Sequence, residues 1–470
     1  MKENVGGKRR IRRMKHVSMC SLTALVVMLM VLYRSQRINP NKNSNSNSSA
    51  SESVSPLSIV KGFATPSSTA FFASDAVRHG AHPSFYRVSN GTSHTVSSIG
   101  MGTSRGDQSE ETDALYVNAL ITSVNGGVNV IDTSSNYRYG NAELCVGRAL
   151  RHLLGDGVGV GAARNTAQRR RQYHRSEIFI SSKAGSMATR DLKQRAVQKG
   201  AVKQDFWSHH ACFAPACIEA SIDISLERMQ IETIDLLYLH NIAEQMSASS
   251  SLPGEITRAL QRAFEHLESE RQRGRIRYYG LATFSKSFRV LPEESGALNL
   301  GDVVALAQKA AGCSTDETCR SGFRFVQLPV SPHSMPEMYT LPSQRPPSTS
   351  TSTSTLERND NSSFQTLAQT AQDFNIGIFS SRSLGSSGRK GRTQAKCLDW
   401  KGLPPSVRVP SFPIHNLQTD ILHVTRSSPG LLCALVGHKT PANVESNLKL
   451  ASFPPLTRHE FESVVKKCTA

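Results

Sequence analysis

The stretch Gly127–Leu150 reads G-V-N-V-I-D-T-S-S-N-Y-R-Y-G-N-A-E-L-C-V-G-R-A-L. Its opening, Val128–Thr133, is a short β-branched run that ends on an acid, Asp132, and then a turn-forming Thr-Ser-Ser. From Ala142 to Leu154 the apolar residues return at helical spacing. A strand that closes on a charged residue and hands over to an amphipathic helix is one βα unit.

The same alternation runs outward from this stretch. Strands are predicted at Val96–Gly102, Val128–Thr133, Glu177–Lys183, Ile234–His240, Ile276–Thr283, Phe323–Val330, Ile376–Ser380 and Leu431–Gly437. Helices are predicted at Glu110–Val124, Ala142–Leu154, Pro215–Met229, Ile256–Gly274, Leu300–Ala311, Phe364–Phe374, Gln418–Arg426 and Pro441–Leu450. Pro215 and Pro441 suit first helical turns, and Gly274 suits a helix end. Eight such units place the chain in the α/β class as a (β/α)₈ barrel, since closure removes both edges of a parallel sheet. Four excursions interrupt the pattern: Gly155–Arg175, Gly185–Ala214, Pro336–Ser363 and Ser386–Ile414, expected as disordered or irregular inserts. Ser348–Thr355 is Ser and Thr alone. The run G-V-G-V-G at Gly157–Gly161 follows no strand, so it reads as a loop and not as a phosphate cradle.

The 470 residues carry a net charge of +18. Nucleic-acid binding would be one reason for that charge, but its placement argues otherwise. Residues 1–40 hold nine Lys and Arg against Glu3, and they flank Val17–Tyr33, a stretch without a charge. At 1.5 Å per residue that stretch spans roughly 25 Å, the short limit for a membrane helix. The expected organisation is a basic tail (1–16), a membrane anchor (17–33), a polar and largely disordered linker (34–90) and the barrel (91–470). A cleaved signal or an organelle transit peptide is the alternative for the apolar segment. A cytoplasmic N-terminus would leave the barrel lumenal or outside the cell, where the sequons at Asn47, Asn90 and Asn361 become acceptors for glycans. A second basic cluster, Arg164–Arg175, reads as a solvated loop. The nine cysteines include no C-x-x-C pair, and their odd number in a long chain argues against a disulfide scaffold. Cys212 with Cys217 and Cys313 with Cys319 lack partner ligands for zinc, and no metal set is expected.

In barrel enzymes the chemistry sits where the strands end at the C-terminal face. The residues at that position are Asp132, Lys183, His240 with Asn241, Thr283, Gln327, Ser380 with Ser381, and Gly437 with His438 and Lys439. Each alone has a bland reading as a cap, a turn or a solvated side chain. Asp132, Lys183 and His240 close three consecutive strands, so their side chains can converge on one mouth.

Gly127–Leu150 resembles the aldo-keto reductase signature. I-F-I-S-S-K (Ile178–Lys183) resembles the family's lysine strand, and I-D-L-L-Y-L-H-N (Ile234–Asn241) its histidine strand. R-I-R-Y-Y-G-L-A-T-F-S (Arg275–Ser285), F-V-Q-L-P (Phe325–Pro329) and A-L-V-G-H-K-T-P-A-N-V-E-S-N-L (Ala434–Leu448) follow in the family's order. The resemblance implies a catalytic tetrad of Asp132, Tyr137, Lys183 and His240. Tyr137 would be the general acid or base, its phenol pKa lowered by the Lys183 ammonium, with Tyr139 a competing phenol two residues on. It also implies an NADPH site built from Asn241, Thr283, Gln327, Ser380, Ser381, Gly437, His438, Lys439, Thr440, Glu445 and Asn447, with Lys439 on the 2′-phosphate. Three positions depart from the family: Ala282 and Thr283 stand where it often has Ser-Asn, and Ser381 where it often stacks an aromatic ring. The implied activity is reduction of a small-molecule aldehyde, ketone or sugar-like carbonyl. A barrel that holds NADPH as a regulatory or sensing subunit is one alternative, and Lys183 as a Schiff-base nucleophile in a lyase is another.

Overall fold

The computed structural model describes residues 58–155, 171–208, 210–247, 254–283, 297–313, 319–332, 364–385 and 417–469, with residues 287–288, 334, 338–339 and 341–345 between them. Eight strands form a closed barrel: β1 (Ile99–Gly102), β2 (Val130–Asp132), β3 (Phe179–Ala184), β4 (Ile234–His240), β5 (Ile276–Ala282), β6 (Phe323–Pro329), β7 (Gly377–Ser381) and β8 (Leu431–Val436). Each strand pairs in parallel with its neighbours in chain order, and β8 returns to β1 through Ala434 opposite Ile99. The helices before, between and after them are α1 (Pro66–Arg78), α2 (Glu110–Asn125), α3 (Asn141–Leu154), α4 (Arg190–Gln198), α5 (Pro215–Met229), α6 (Ile242–Ser247), α7 (Glu255–Gln272), α8 (Leu300–Ala310), α9 (Leu367–Asp373), α10 (Leu417–Arg426), α11 (Pro441–Leu448) and α12 (Arg458–Thr469).

The strand pleat divides the core in two. Inward residues fill the barrel with Val130, Phe179, Leu236, Tyr238, Phe325, Phe379, Cys433 and Leu435. Phe179, Phe325 and Phe379 stack around one another with ring centroids 5.5 to 6.3 Å apart. Outward residues such as Ile131, Ile180, Leu237, Leu281 and Val326 pack beneath the helices. Gly280 on β5 is required by this crowding, because a Cβ there would run into the carbonyl of Phe325 on β6.

The barrel's lower end is closed by chain that the sequence reading assigned to the linker. Residues 34–57 lie outside the described residues, but residues 58–90 are folded, contrary to that expectation. Thr65 caps α1 by accepting from the Ser68 amide, Pro66 opens it, and Phe72 packs on Tyr173. The Ser and Thr content of this helix hides its apolar stripe of Phe72, Ala73 and Ala76. Beneath the strands, the Asp235 carboxylate accepts from Arg175 at 2.7 Å, from the Ile180 amide at 2.8 Å and from the Ala64 amide at 2.6 Å. Arg175 and Arg171, expected in a solvated loop, are therefore structural: Arg171 pairs with Asp75 and Glu177.

Three further expectations change. The excursion Gly185–Ala214 contains α4 and an antiparallel ribbon, Phe206–Ser208 with Ala211–Cys212. Among the described residues two short-range disulfides occur, Cys212–Cys217 and Cys313–Cys319, in a fold that its core already organises. Ser97 belongs to a separate strand, Thr95–Ser97, paired with Tyr86–Val88, so the first barrel strand begins at Ile99. Residues 156–170, 346–363 and 386–416 lie outside the described residues, as does the apolar segment 17–33. Among the described residues no helix is long and apolar enough to cross a membrane.

Removing one partner of a buried ion pair strands the other charge away from water. Asp235→Ala is therefore expected to lower unfolding stability by about 3–5 kcal/mol in urea titrations. Arg458→Ala, which breaks an exposed pair with Glu462, is expected to change it by less than about 1 kcal/mol. Equal effects would show that the Asp235 clamp does not hold the barrel's base.

Candidate active site

The strand ends carry the polar groups and the barrel interior below them is apolar, so the charges collect at one mouth. Asp132 ends β2 opposite Ser181, and Lys183 lies two residues further along β3, on the same face of the sheet. Lys183 Nζ donates to Asp132 Oδ2 at 2.7 Å and to the Thr133 carbonyl at 2.9 Å, and the lysine is 1% exposed. The other carboxylate oxygen accepts from Ser181 Oγ at 2.8 Å and from Gln327 Nε2 at 2.9 Å. Asp132 thus ties β2 to β3 alongside it and to β6 across the mouth.

Tyr137 comes from the turn that follows β2. The Lys183 ammonium lies 4.8 Å from the centroid of its ring, close enough to act on the phenol. The ring of His240, at the end of β4, meets that of Tyr137 edge to face at 6.0 Å. Tyr139 points outward and is 64% exposed. The turn is held under strain: Arg138 and Tyr139 both take left-handed backbone conformations, with φ of 50° and 56°. Their surroundings fix this. Arg138 is buried against Asp113 and donates to the Asp107 carbonyl at 2.7 Å. Arg228 of α5 donates to the Ser135 carbonyl at 2.8 Å.

Burial and charge set the protonation states. Burial pushes the Tyr137 phenol above its usual value, against the opposing pull of the Lys183 ammonium. The sequence reading expected the ammonium to prevail, and here desolvation outweighs it. Burial acts to lower the Lys183 pKa, but Asp132 and the Tyr137 oxygen together raise it, so the lysine stays charged. Burial, with help from Lys183, pushes His240 down to about 3, so its imidazole is neutral. Its Nδ1 is buried with no hydrogen-bond partner among the described residues, as is the Tyr238 hydroxyl beneath.

A hollow of about 150 Å³ opens above this cluster. Asp132, Tyr137, Gln327, Ser381 and Gly437 line it. Thr283 lies beside Gln327, its amide donating to the Gln327 carbonyl at 2.8 Å, and its buried hydroxyl has no partner among the described residues. Asn241 sits at the head of α6 with φ +58°, its amide donating to the Ala282 carbonyl. Two guanidiniums that the sequence reading missed, Arg105 after β1 and Arg382 after β7, line the hollow too. Only the barrel register brings them together, so no local spacing could announce them.

Other expected cofactor residues are spent on packing. Ser380 Oγ donates to the Val330 carbonyl at 3.0 Å and pairs with Ser383. His438 is buried between Ser123 Oγ and Asn447 Nδ2, each 3.0 Å from a ring nitrogen. The Asn447 amide oxygen accepts from Thr419. These three side chains face neighbouring elements because the residues alternate or turn inward there. Lys439, Thr440 and Glu445 are accessible at the start of α11, with Lys439 Nζ 3.5 Å from Thr112 Oγ1.

Residues 98–290 match the model of the aldo/keto reductase family. The match spans β1 to β5 and includes Asp132, Tyr137, Lys183 and His240. No curated protein matches the chain. Among solved structures, an aldo/keto reductase from Klebsiella pneumoniae in complex with NADP and acetate is 17% identical, covering 82% of this chain and 94% of its own, with a TM-score of 0.48. An aldo-keto reductase from Bacillus halodurans, in its holo form, is 17% identical, covering 81% and 95%, with a TM-score of 0.48.

The neutral His438 has a consequence for stability. Burial holds its pKa at about 4, below the roughly 6.5 of an unfolded histidine. The unfolded chain then binds the extra proton first, so stability is lost as pH falls from about 6.5 towards 4. Thermal unfolding midpoints should drop across that window and drop less in His438→Gln. A variant with the same acid sensitivity would remove His438 from the explanation.

Proposed function

We propose that this protein is an NADPH-dependent aldo/keto reductase that reduces a small carbonyl compound, with Tyr137 as the proton donor. The observation that carries the reading is the contact of one phenol with a buried ammonium, beside a neutral imidazole. Reduction of a carbonyl places negative charge on its oxygen, and a proton donor within hydrogen-bond reach relieves it. Tyr137 keeps its proton at neutral pH because its site is desolvated, and Lys183 stabilises the phenolate left after transfer. Asp132 keeps Lys183 charged and aimed. A Schiff-base role for Lys183 fits poorly, because that chemistry needs an unprotonated amine and this one is held as an ammonium. His240 is neutral and can orient the carbonyl through one ring N–H.

The residues present fit a nicotinamide dinucleotide. The Gln327 amide and the orphaned Thr283 hydroxyl offer partners to a carboxamide at adjacent strand ends. Arg105 and Arg382 offer charge to a diphosphate, and Lys439 at the head of α11 offers it to a 2′-phosphate. Bound there, the nicotinamide supplies the hydride. Ser381 has no ring to stack on it, which favours a second reading in which the barrel binds NADPH with little turnover. We also propose that residues 17–33 tether the enzyme to a membrane, on the strength of their uncharged length and basic flanks.

Tyr137→Phe should lower kcat for carbonyl reduction by roughly 10²-fold or more while leaving NADPH affinity nearly unchanged. Tyr139→Phe should do neither. Loss of turnover in Tyr139→Phe alone would move the acid to the outer phenol. Lys439→Ala should weaken NADPH binding more than NADH binding, and an unchanged preference would remove the lysine from the 2′-phosphate.

A further inference from the structure

Two features away from the cleft concern the compartment in which the barrel folds. The first is sulfur. The Cys212–Cys217 disulfide joins the Phe206–Cys212 ribbon to the first turn of α5, buried among Met187, Leu192 and Ala196. The Cys313–Cys319 disulfide closes the chain after α8. The free thiols Cys145 and Cys433 are buried in the core. Disulfides persist in oxidising surroundings and are rare where glutathione keeps thiols reduced.

The second is the sequon Asn90-Gly91-Thr92, at the tip of the ribbon formed by Tyr86–Val88 and Thr95–Ser97. Asn90 is exposed. The fold accounts for Gly91, because a Cβ there would collide with the Asn375 carbonyl. It does not account for the Thr92 hydroxyl, which is buried with no hydrogen-bond partner among the described residues. An unpaired buried hydroxyl costs stability, and a valine would serve the packing as well. The threonine hydroxyl does have a use in an N-x-S/T acceptor site. The uncharged segment 17–33, ahead of the barrel, is of the kind that directs a chain into a secretory membrane.

We infer that the barrel folds in an oxidising secretory lumen, where Asn90 carries an N-linked glycan. In that modification the Asn90 amide nitrogen bonds to the anomeric carbon of a lipid-diphosphate-linked oligosaccharide. The bond from that carbon to the diphosphate oxygen breaks, the lipid diphosphate leaves, and one amide proton passes to a base. Each disulfide forms by exchange with a disulfide-bearing oxidant, which takes up the two electrons and two protons of the paired thiols.

The test is translation of the full chain with microsomal membranes, using a variant in which Asn47→Gln and Asn361→Gln leave Asn90 as the one sequon. A single mobility step that peptide N-glycosidase F removes is expected. It should vanish on adding Asn90→Gln or Thr92→Ala and survive Thr92→Ser. Glycan transfer occurs on the emerging chain, so the result does not depend on the variant's stability. In protein from eukaryotic cells, alkylation in denaturant before reduction should leave Cys212, Cys217, Cys313 and Cys319 unlabelled by mass spectrometry. No step on the Asn90-only chain, or four alkylated thiols, would overturn the inference, and neither readout involves carbonyl reduction.

Discussion

The contact between Lys183 and Asp132 is the constraint around which the mouth of the barrel is arranged. An ammonium this deeply buried persists only with a carboxylate and further acceptors beside it. Asp132 supplies the carboxylate, Thr133 a carbonyl, and Ser181 and Gln327 satisfy the remaining carboxylate oxygen. Those partners come from β2, β3 and β6, so a one-residue slip in any of them would turn a partner away from the pair. The closed barrel and the charged site therefore require one another.

That single ion pair also decides how its neighbours titrate. Tyr137 and His240 both lie beside the Lys183 charge, and both are half-buried and desolvated. Burial favours the neutral form of each, but in opposite directions of pKa: up for the phenol, down for the imidazole. The result is a site with one fixed charge pair and two neutral groups able to donate hydrogen bonds. The strain in the turn carrying Tyr137 serves the same end. Arg138 and Tyr139 take left-handed conformations only because Asp113 and Arg228 hold the chain from two sides.

Much of this was legible in the sequence, and for a physical reason. Strand ends are local events, so Asp132, Lys183 and His240 could be read from apolar runs that stop on a polar residue. Ile234–His240 and Pro215–Met229 agree with the structure to the residue. What was not legible depends on partners distant in the chain. Arg105 and Arg382 meet only because β8 closes on β1, next to β7. His438 looked available after its strand, yet Ser123 on α2 and Asn447 on α11 enclose it. The helix Pro66–Arg78 was masked by its Ser and Thr content, and its burial against Tyr173 becomes visible only in three dimensions. Composition likewise hid Arg171 and Arg175, whose carboxylate partners are spread over Asp75, Glu177 and Asp235. The direction of the Tyr137 shift was misjudged because desolvation is a property of the assembled mouth.

The most direct test of the central claim is cofactor fluorescence on the purified chain, with NADPH and NADH titrated in turn and a panel of aldehydes and ketones then added. The account requires saturable binding that favours NADPH, followed by oxidation that depends on the added carbonyl. Absence of binding to either dinucleotide would contradict it, because the Gln327, Thr283 and Lys439 groups would then hold no cofactor for Tyr137 to serve.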